Sequence, residues 1–140
     1  MEKTIKLISD SWERCKQYGV EQTNGYPTEV VTGKELEALL SESTELIDAA
    51  RPLMESLYEL VSSSGFVVVL LNAEGYIIEV IGEMNAAQST WTRYYARGVK
   101  WTEDLVGTSA LGLALLGHGP IQVAGAEHFC KAYEGWTCSA

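Results

Sequence analysis

The stretch FVVVLLNAEGYIIEVI, residues 66–81, constrains the fold of this chain more than any other. Two short apolar runs rich in Val and Ile flank four turn-forming residues. Runs of this length and composition pack as buried strands. Between them, Asn72 can bond its own backbone and Gly75 is free to take positive φ. The pattern predicts an antiparallel hairpin pairing 66–71 with 76–81. Whatever covers that hairpin must come from the flanking sequence.

Upstream, the hydrophobic period lengthens. Ile5, Ile8, Trp12 and Cys15 recur at spacings of three, four and three, which predicts one face of a helix over 4–18. Gly19 suits the left-handed position that ends a helix, and 20–31, with Asn24-Gly25 and Pro27, read as a loop. Thr32-Gly33-Lys34-Glu35 has the spacing of a capping box. Behind it, Leu39, Leu46, Leu53 and Leu60 recur every seventh residue, with Leu40, Ile47, Met54 and Val61 beside them. A stripe this broad exceeds a two-row zipper seam, so part of it is expected to face a core and part a partner. A bent helix buried wholly within one subunit is the other reading. Pro52 removes a helical hydrogen bond and is expected to kink or split the element.

Downstream, residues 84–97 read as helix-rich, 106–117 as a helix of small and aliphatic residues, 120–124 as a third strand and 126–133 as a short helical turn. There is no internal repeat, low-complexity tract or interdomain linker. With 140 residues, 46% of them hydrophobic, the sequence suits one globular domain with a real core. The formal net charge is −9, and neither half is basic: residues 1–65 hold twelve Asp/Glu against six Lys/Arg, and 66–140 hold seven against four. That balance argues against direct contact with nucleic acid or an anionic membrane. The start of the sequence has no export-signal pattern, and the longest apolar run, 66–71, is too short to span a bilayer. Three cysteines, an odd number, then suggest free thiols in a reducing cytoplasm.

Two constellations could carry chemistry. His128, Cys130 and Cys138 form H-x-C-x7-C, which matches no common four-ligand zinc spacing; buried thiols acting as small hydrophobes are the plainer reading. A reactive thiol would need a cation or helix N-terminus to lower its pKa, and only His128 and Lys131 stand near in sequence. The segment GTSALGLALLG lacks the Lys-Ser/Thr pair of a phosphate-binding loop. Trp91, Tyr94, Tyr95 and Trp101, flanked by Arg93, Arg97 and Glu103, could line an apolar pocket with a few polar anchors, or simply pack a core.

Whole segments go further than spacing. SWERCKQYGV resembles the S-W-x-R-C-x-x-Y-G opening of acetoin-type transcriptional activators, and LLNAEGYIIEVIG resembles their strand-turn-strand. GVKWTEDLVGTSALGLAL is similar to their G-x-x-W-x-E-x-x-x-G-T-[NS]-A-[IL]-G segment, and GPIQVAGAEHF and WTCSA to the segment next in their order. The chain thus resembles the N-terminal GAF sensory region of sigma-54-dependent, enhancer-binding regulators. The resemblance implies an α+β fold: an antiparallel sheet flanked by helices, with a helical part over 1–65 and a GAF core over 66–140, acting as one domain. It implies a cytoplasmic module that senses a small-molecule effector and forms a homodimer through its N-terminal helices or a sheet edge. It implies neither catalysis nor a resident cofactor or metal. In such regulators an AAA+ ATPase domain and a helix-turn-helix domain come after this region, so this segment itself is expected to bind no DNA. The effector pocket is expected between the sheet and residues 86–116, with Tyr94, Tyr95, Trp101 and Glu103 as lining residues.

Related proteins suggest two rivals. One is a non-haem-iron nitric oxide sensor using His128, Cys130 and Glu127 as ligands. The other is a GAF-type reductase of free methionine sulfoxide using the cysteines. Relatives of this kind continue past W-T-C-S-A into further strands, so the core is expected to be incomplete at Ala140, with an open sheet edge hidden by self-association.

Overall fold

The structure, a computed structural model, describes residues 2–83 and 91–140. Its elements are α1 (Glu2–Tyr18), α2 (Gly33–Glu42), α3 (Thr44–Val61), β1 (Val68–Leu71), β2 (Ile77–Ile81), α4 (Glu103–Val106), α5 (Ala110–Leu115), β3 (Gln122–Ala124) and β4 (Thr137–Ser139). This is an α+β chain. Contacts divide it into two compact units: one holds residues 1–28 and 101–140, the other is the continuous segment 29–100. Helices occur in both, so this division runs differently from a split at 65/66.

The continuous unit is built on the predicted hairpin. β1 and β2 pair antiparallel, Val69 opposite Val80 and Leu70 opposite Glu79, with an irregularity before Leu71. Asn72 closes the turn as its residue type requires: its Oδ1 accepts from the backbone N–H of Glu74 and Tyr76, and Gly75 takes φ 91°. Ile77 also bonds to the opposite side, accepting from the N–H of Gly98 and donating to Val99 O. Residues 98–100 pair in turn with 29–31. Against this ladder packs α3, which buries Ile47 and Met54.

The leucine stripe is divided. Leu46, Leu53, Leu57 and Leu60 are exposed, the last two heptad leucines at 74% and 82%, whereas Met54 is 6% exposed. The interruption falls at Ser43, between α2 and α3, and not at Pro52, which lies inside α3. There the hydroxyl of Thr44 donates to Leu40 O and Ser41 O, satisfying carbonyls that a continuous helix would have bonded itself. Thr32 does occupy the N-cap position of α2, but its side chain makes no capping hydrogen bond, so the capping box is not formed.

In the discontinuous unit, α1 runs as predicted and Gly19 ends it at φ 76°. Its buried line is Ser11 and Cys15, while Ile5 is exposed. The predicted helix over 106–117 is shorter, because Gly107 at φ 79° separates α4 from α5. The third strand is joined by a fourth that sequence periodicity missed: β3 pairs antiparallel with β4, Val123 opposite Cys138. Among the described residues these two strands form their own sheet, separate from the β1–β2 hairpin. Ala110, Leu113, Ile121 and Val123 form the core beside them, with Leu7, Ile8 and Cys138 packed against it. The helix expected over 84–97 lies partly outside the described residues. No helix among the described residues is long and apolar enough to cross a membrane.

Candidate functional site

Two polar constellations stand out, one in each unit. In the discontinuous unit, successive turns of α1 present Ser11, Arg14 and Cys15. Glu103 opens α4, where its acid complements the free N–H groups of a helix start. Arg14 Nε donates to Glu103 Oε1 at 2.6 Å and Arg14 Nη2 to Oε2 at 3.0 Å, while the Ser11 hydroxyl donates to Oε2 at 2.7 Å. Ser11 and Thr108 share a hydrogen bond of 2.7 Å, and Thr108 Oγ1 lies 3.6 Å from Cys15 Sγ. Ser109 caps α5 by accepting from Gly112 N. The S-W-x-R-C and W-x-E-x-x-x-G-T segments therefore meet, residue on residue, in one buried and internally satisfied network. Trp12 extends it: its indole N–H donates to Glu127 O at 2.8 Å and its ring meets Phe129 edge-on at 5.2 Å.

Around His128 the arrangement is a packed interior. Cys130 is fully buried; a Cβ added at Gly25 would lie 2.3 Å from its sulfur. Burial pushes the thiols of Cys130 and Cys138 up to about 11, the opposite of what a nucleophile needs. His128 Nδ1 faces Gly125 O at 2.9 Å, so it carries the proton and Nε2 does not. Among the described residues Nε2 is buried without a partner, and burial holds the imidazole below its usual pKa. Glu127 is engaged elsewhere, accepting from Ala124 N. Among the described residues no three His, Cys, Asp or Glu side chains are placed to share a metal ion. The iron-sensor ligand set and the reactive thiol expected of the two rivals are thus not assembled.

In the continuous unit, β2 carries an acid in the middle of its apolar run. Glu79 is only 4% exposed and collects two guanidinium groups. Arg51, on α3, donates from Nε and Nη2 to Oε2 at 3.3 and 2.7 Å. Arg97 donates from Nε and Nη2 to Oε1 at 3.2 and 2.5 Å, and Val80 N adds a further bond to Oε1. Burial alone would raise the Glu79 pKa, but the bonds from Arg51 and Arg97 outweigh it and hold the carboxyl below its ordinary range. These three residues line a cavity of about 220 Å³ together with Leu40, Thr44, Ile47, Asp48 and Ile78. A larger groove of about 410 Å³ runs beside Lys3, Leu7, His118 and Gln122 in the other unit, and no charged residue lining it is buried. A charged residue centred in YIIEVI was the available sign of Glu79; the two arginines that make its burial tolerable are distant in sequence.

The four residues predicted to line one pocket fall in different units. Tyr94 and Tyr95 are half-buried in the continuous unit, Tyr94 beneath the guanidinium of Arg93 at 4.7 Å. Trp101 and Glu103 belong to the other. Trp101 is buried with Tyr133, ring centroids 5.8 Å apart, and both carboxylate oxygens of Glu103 are taken by Ser11 and Arg14.

Comparison with known proteins accords with the segments that meet around Glu103. The sequence model of the family described as MimR, N-terminal domain, matches residues 7–140. A signal-transduction and transcriptional-control protein of Clostridium beijerinckii is 29% identical over 135 residues, covering 96% of this chain and 21% of that protein. The acetoin dehydrogenase operon transcriptional activator AcoR of Bacillus subtilis is also 29% identical over 135 residues, covering 96% of this chain and 22% of its own length. The chain thus spans about a fifth of these curated relatives. In fold it matches a chain of the crystal structure of the E. coli DhaR(N)-DhaL complex, with TM-score 0.84 and 20% identity, over 95% of this chain and 45% of that one.

Proposed function

Because the chain belongs to the MimR N-terminal domain family, we propose that it is the effector-sensing regulatory region of a cytoplasmic, sigma-54-dependent transcriptional activator. The observation that carries the reading is the family match over residues 7–140, in a chain that spans only a fifth of relatives named as operon activators and control proteins. In this reading the fold is of GAF type, the segment is regulatory and not catalytic, and the AAA+ and DNA-binding functions belong to other parts of the regulator. Signalling runs through α3. Its inner face packs on the hairpin, and its outer face presents Leu46, Leu53, Leu57 and Leu60 to the same helix of a second copy. A ligand changes output only by binding the two packing states unequally. Tyr94 and Tyr95 remain candidate effector contacts; Trp101 and Glu103 serve the framework. The complex named in the matching crystal structure raises a protein partner as a second kind of input.

A thermal-shift screen of small metabolites on the chain, with calorimetry of the hits, tests the sensing role. The expected result is a saturable rise in melting temperature for one chemical class. A folded protein that binds none of them would reduce the role to dimerisation.

A further inference from the structure

We propose that Asn24-Gly25 is a self-modification site: the Gly25 nitrogen displaces the side-chain amide of Asn24, and the isoaspartyl link that results unlatches residues 21–25 from Cys130. The inference goes beyond the sensory reading and does not depend on it.

The reacting pair is the first observation. Asn24 is exposed, and among the described residues its side chain makes no hydrogen bond, so it is free to swing onto the next residue. Its own backbone is steadied by a bond from Asn24 N to Glu21 O at 3.1 Å. Gly25 follows, and with no Cβ it offers the least hindered nitrogen that a next residue can present. Among the described residues the Gly25 N–H donates no hydrogen bond, so nothing holds its proton. That nitrogen gives its proton to solvent and attacks Asn24 Cγ. The Gly25 N–Cγ bond forms, the Cγ–Nδ2 bond breaks, and Nδ2 leaves as ammonia. Water then opens the cyclic imide at either carbonyl. One opening leaves an ordinary aspartyl residue; the other routes the main chain through the side chain and lengthens it by one methylene. Water enters and ammonia leaves, with no oxidant, reductant or cofactor. Asn72 is the internal comparison. Ala73 follows it, and its Oδ1 accepts from Glu74 N and Tyr76 N at 3.1 and 3.0 Å, which pins the carboxamide in its turn.

The second observation is what lies beneath. Residues 21–25 are strapped across 130–133: Cys130 Sγ donates to Glu21 O at 3.6 Å, Lys131 N to Gln22 O at 2.9 Å, and the Tyr133 hydroxyl to Gly25 O. Gly25 is buried there without slack, since a Cβ on it would lie 2.3 Å from Cys130 Sγ and 3.3 Å from the Tyr133 ring. An extra methylene enters the main chain between Gln22 and Gly25, so the bonds on its two sides cannot both be kept. Cys130 is fully buried under this strap, and burial is what keeps its thiol unreactive. The modification therefore converts a slow amide reaction into exposure of a thiol.

The test is incubation of the chain for several weeks at mildly alkaline pH and body temperature, followed by peptide mapping in a mass spectrometer. The peptide holding Asn24 should gain the mass of amide-to-acid conversion and accept methyl groups from a protein isoaspartyl methyltransferase, while the peptide holding Asn72 stays unchanged. A mapped thiol reagent should label Cys130 faster in the converted fraction than in fresh chain, with Cys15 still protected. Asn24→Gln, at an exposed position, should abolish both changes, because its longer side chain closes the ring far more slowly. Asn24→Asp adds the charge without lengthening the main chain and should leave Cys130 protected. No conversion at Asn24, or conversion at Asn72 just as fast, would overturn the site. Cys130 labelling unchanged by conversion, gained equally in Asn24→Asp, or matched at Cys15 would overturn the unlatching.

Discussion

Arg14 and Glu103 are 89 positions apart in the chain and 2.6 Å apart in space. Glu103 is 5% exposed and Arg14 29%, so removing the arginine strands a buried carboxylate. Arg14→Met should destabilise the chain by about 3 kcal/mol in urea denaturation. Adding Glu103→Gln to that variant should recover part of the loss, since an amide has no charge to strand. His128 gives a different test. Its folded pKa is lowered by burial, so the unfolded chain takes up the proton first as pH falls. The histidine's contribution is complete above its unfolded pKa of about 6.5 and is lost as pH falls from there toward the folded value. Denaturation at pH 7.5 and 5.5 should show that decline, and His128→Asn, which keeps a donor for Gly125 O, should remove this part of it. Neither effect was legible from residue types alone. SWERC and W-x-E-x-x-x-G-T stood out as segments, but nothing in either says that Ser11 finds Glu103, because pairing over such a distance is decided by the packing of α1.

At the scale of elements, local signals were read where they act locally. The hairpin arises from two β-branched runs and the turn Asn72-Ala73-Glu74-Gly75 between them, and α1 ends at the glycine that permits it. β4 escaped because Thr137-Cys138-Ser139 has no apolar run or alternation of its own; it is a strand only because β3 lies beside it. The capping box failed for a related reason: its two residues have the right spacing, yet spacing does not oblige a side chain to turn inward. Adjacent residues on α3 make the sharpest test of its two faces. Met54→Ala should cost about 2–5 kcal/mol of unfolding free energy, since it opens a cavity under the helix. Leu53→Gln should change the stability of the subunit by less than about 0.5 kcal/mol and lower self-association in sedimentation velocity. Equal self-association in both proteins would remove α3 from the interface.

At the scale of the whole molecule, one unit is an uninterrupted segment and the other is made from both ends of the chain. The segment's own ends meet: Lys100 N donates to Glu29 O at 2.9 Å and Val31 N to Gly98 O at 3.0 Å. Residues 29–100 expressed alone should therefore retain helical circular dichroism and protect the hairpin amides from exchange; a spectrum without helix would show that the segment depends on the rest. On the ribosome this arrangement sets an order of events. α1 is made before the continuous segment, and the carboxylate that anchors it is made only after that whole segment. At about 5–20 residues per second, α1 waits on the order of ten seconds with Ile8, Ser11 and Cys15 facing no partner. During that interval the continuous segment can close without it. A nascent chain released before Glu103 is made carries α1 with nothing to hold, and that helix is where a chaperone or a protease would find it.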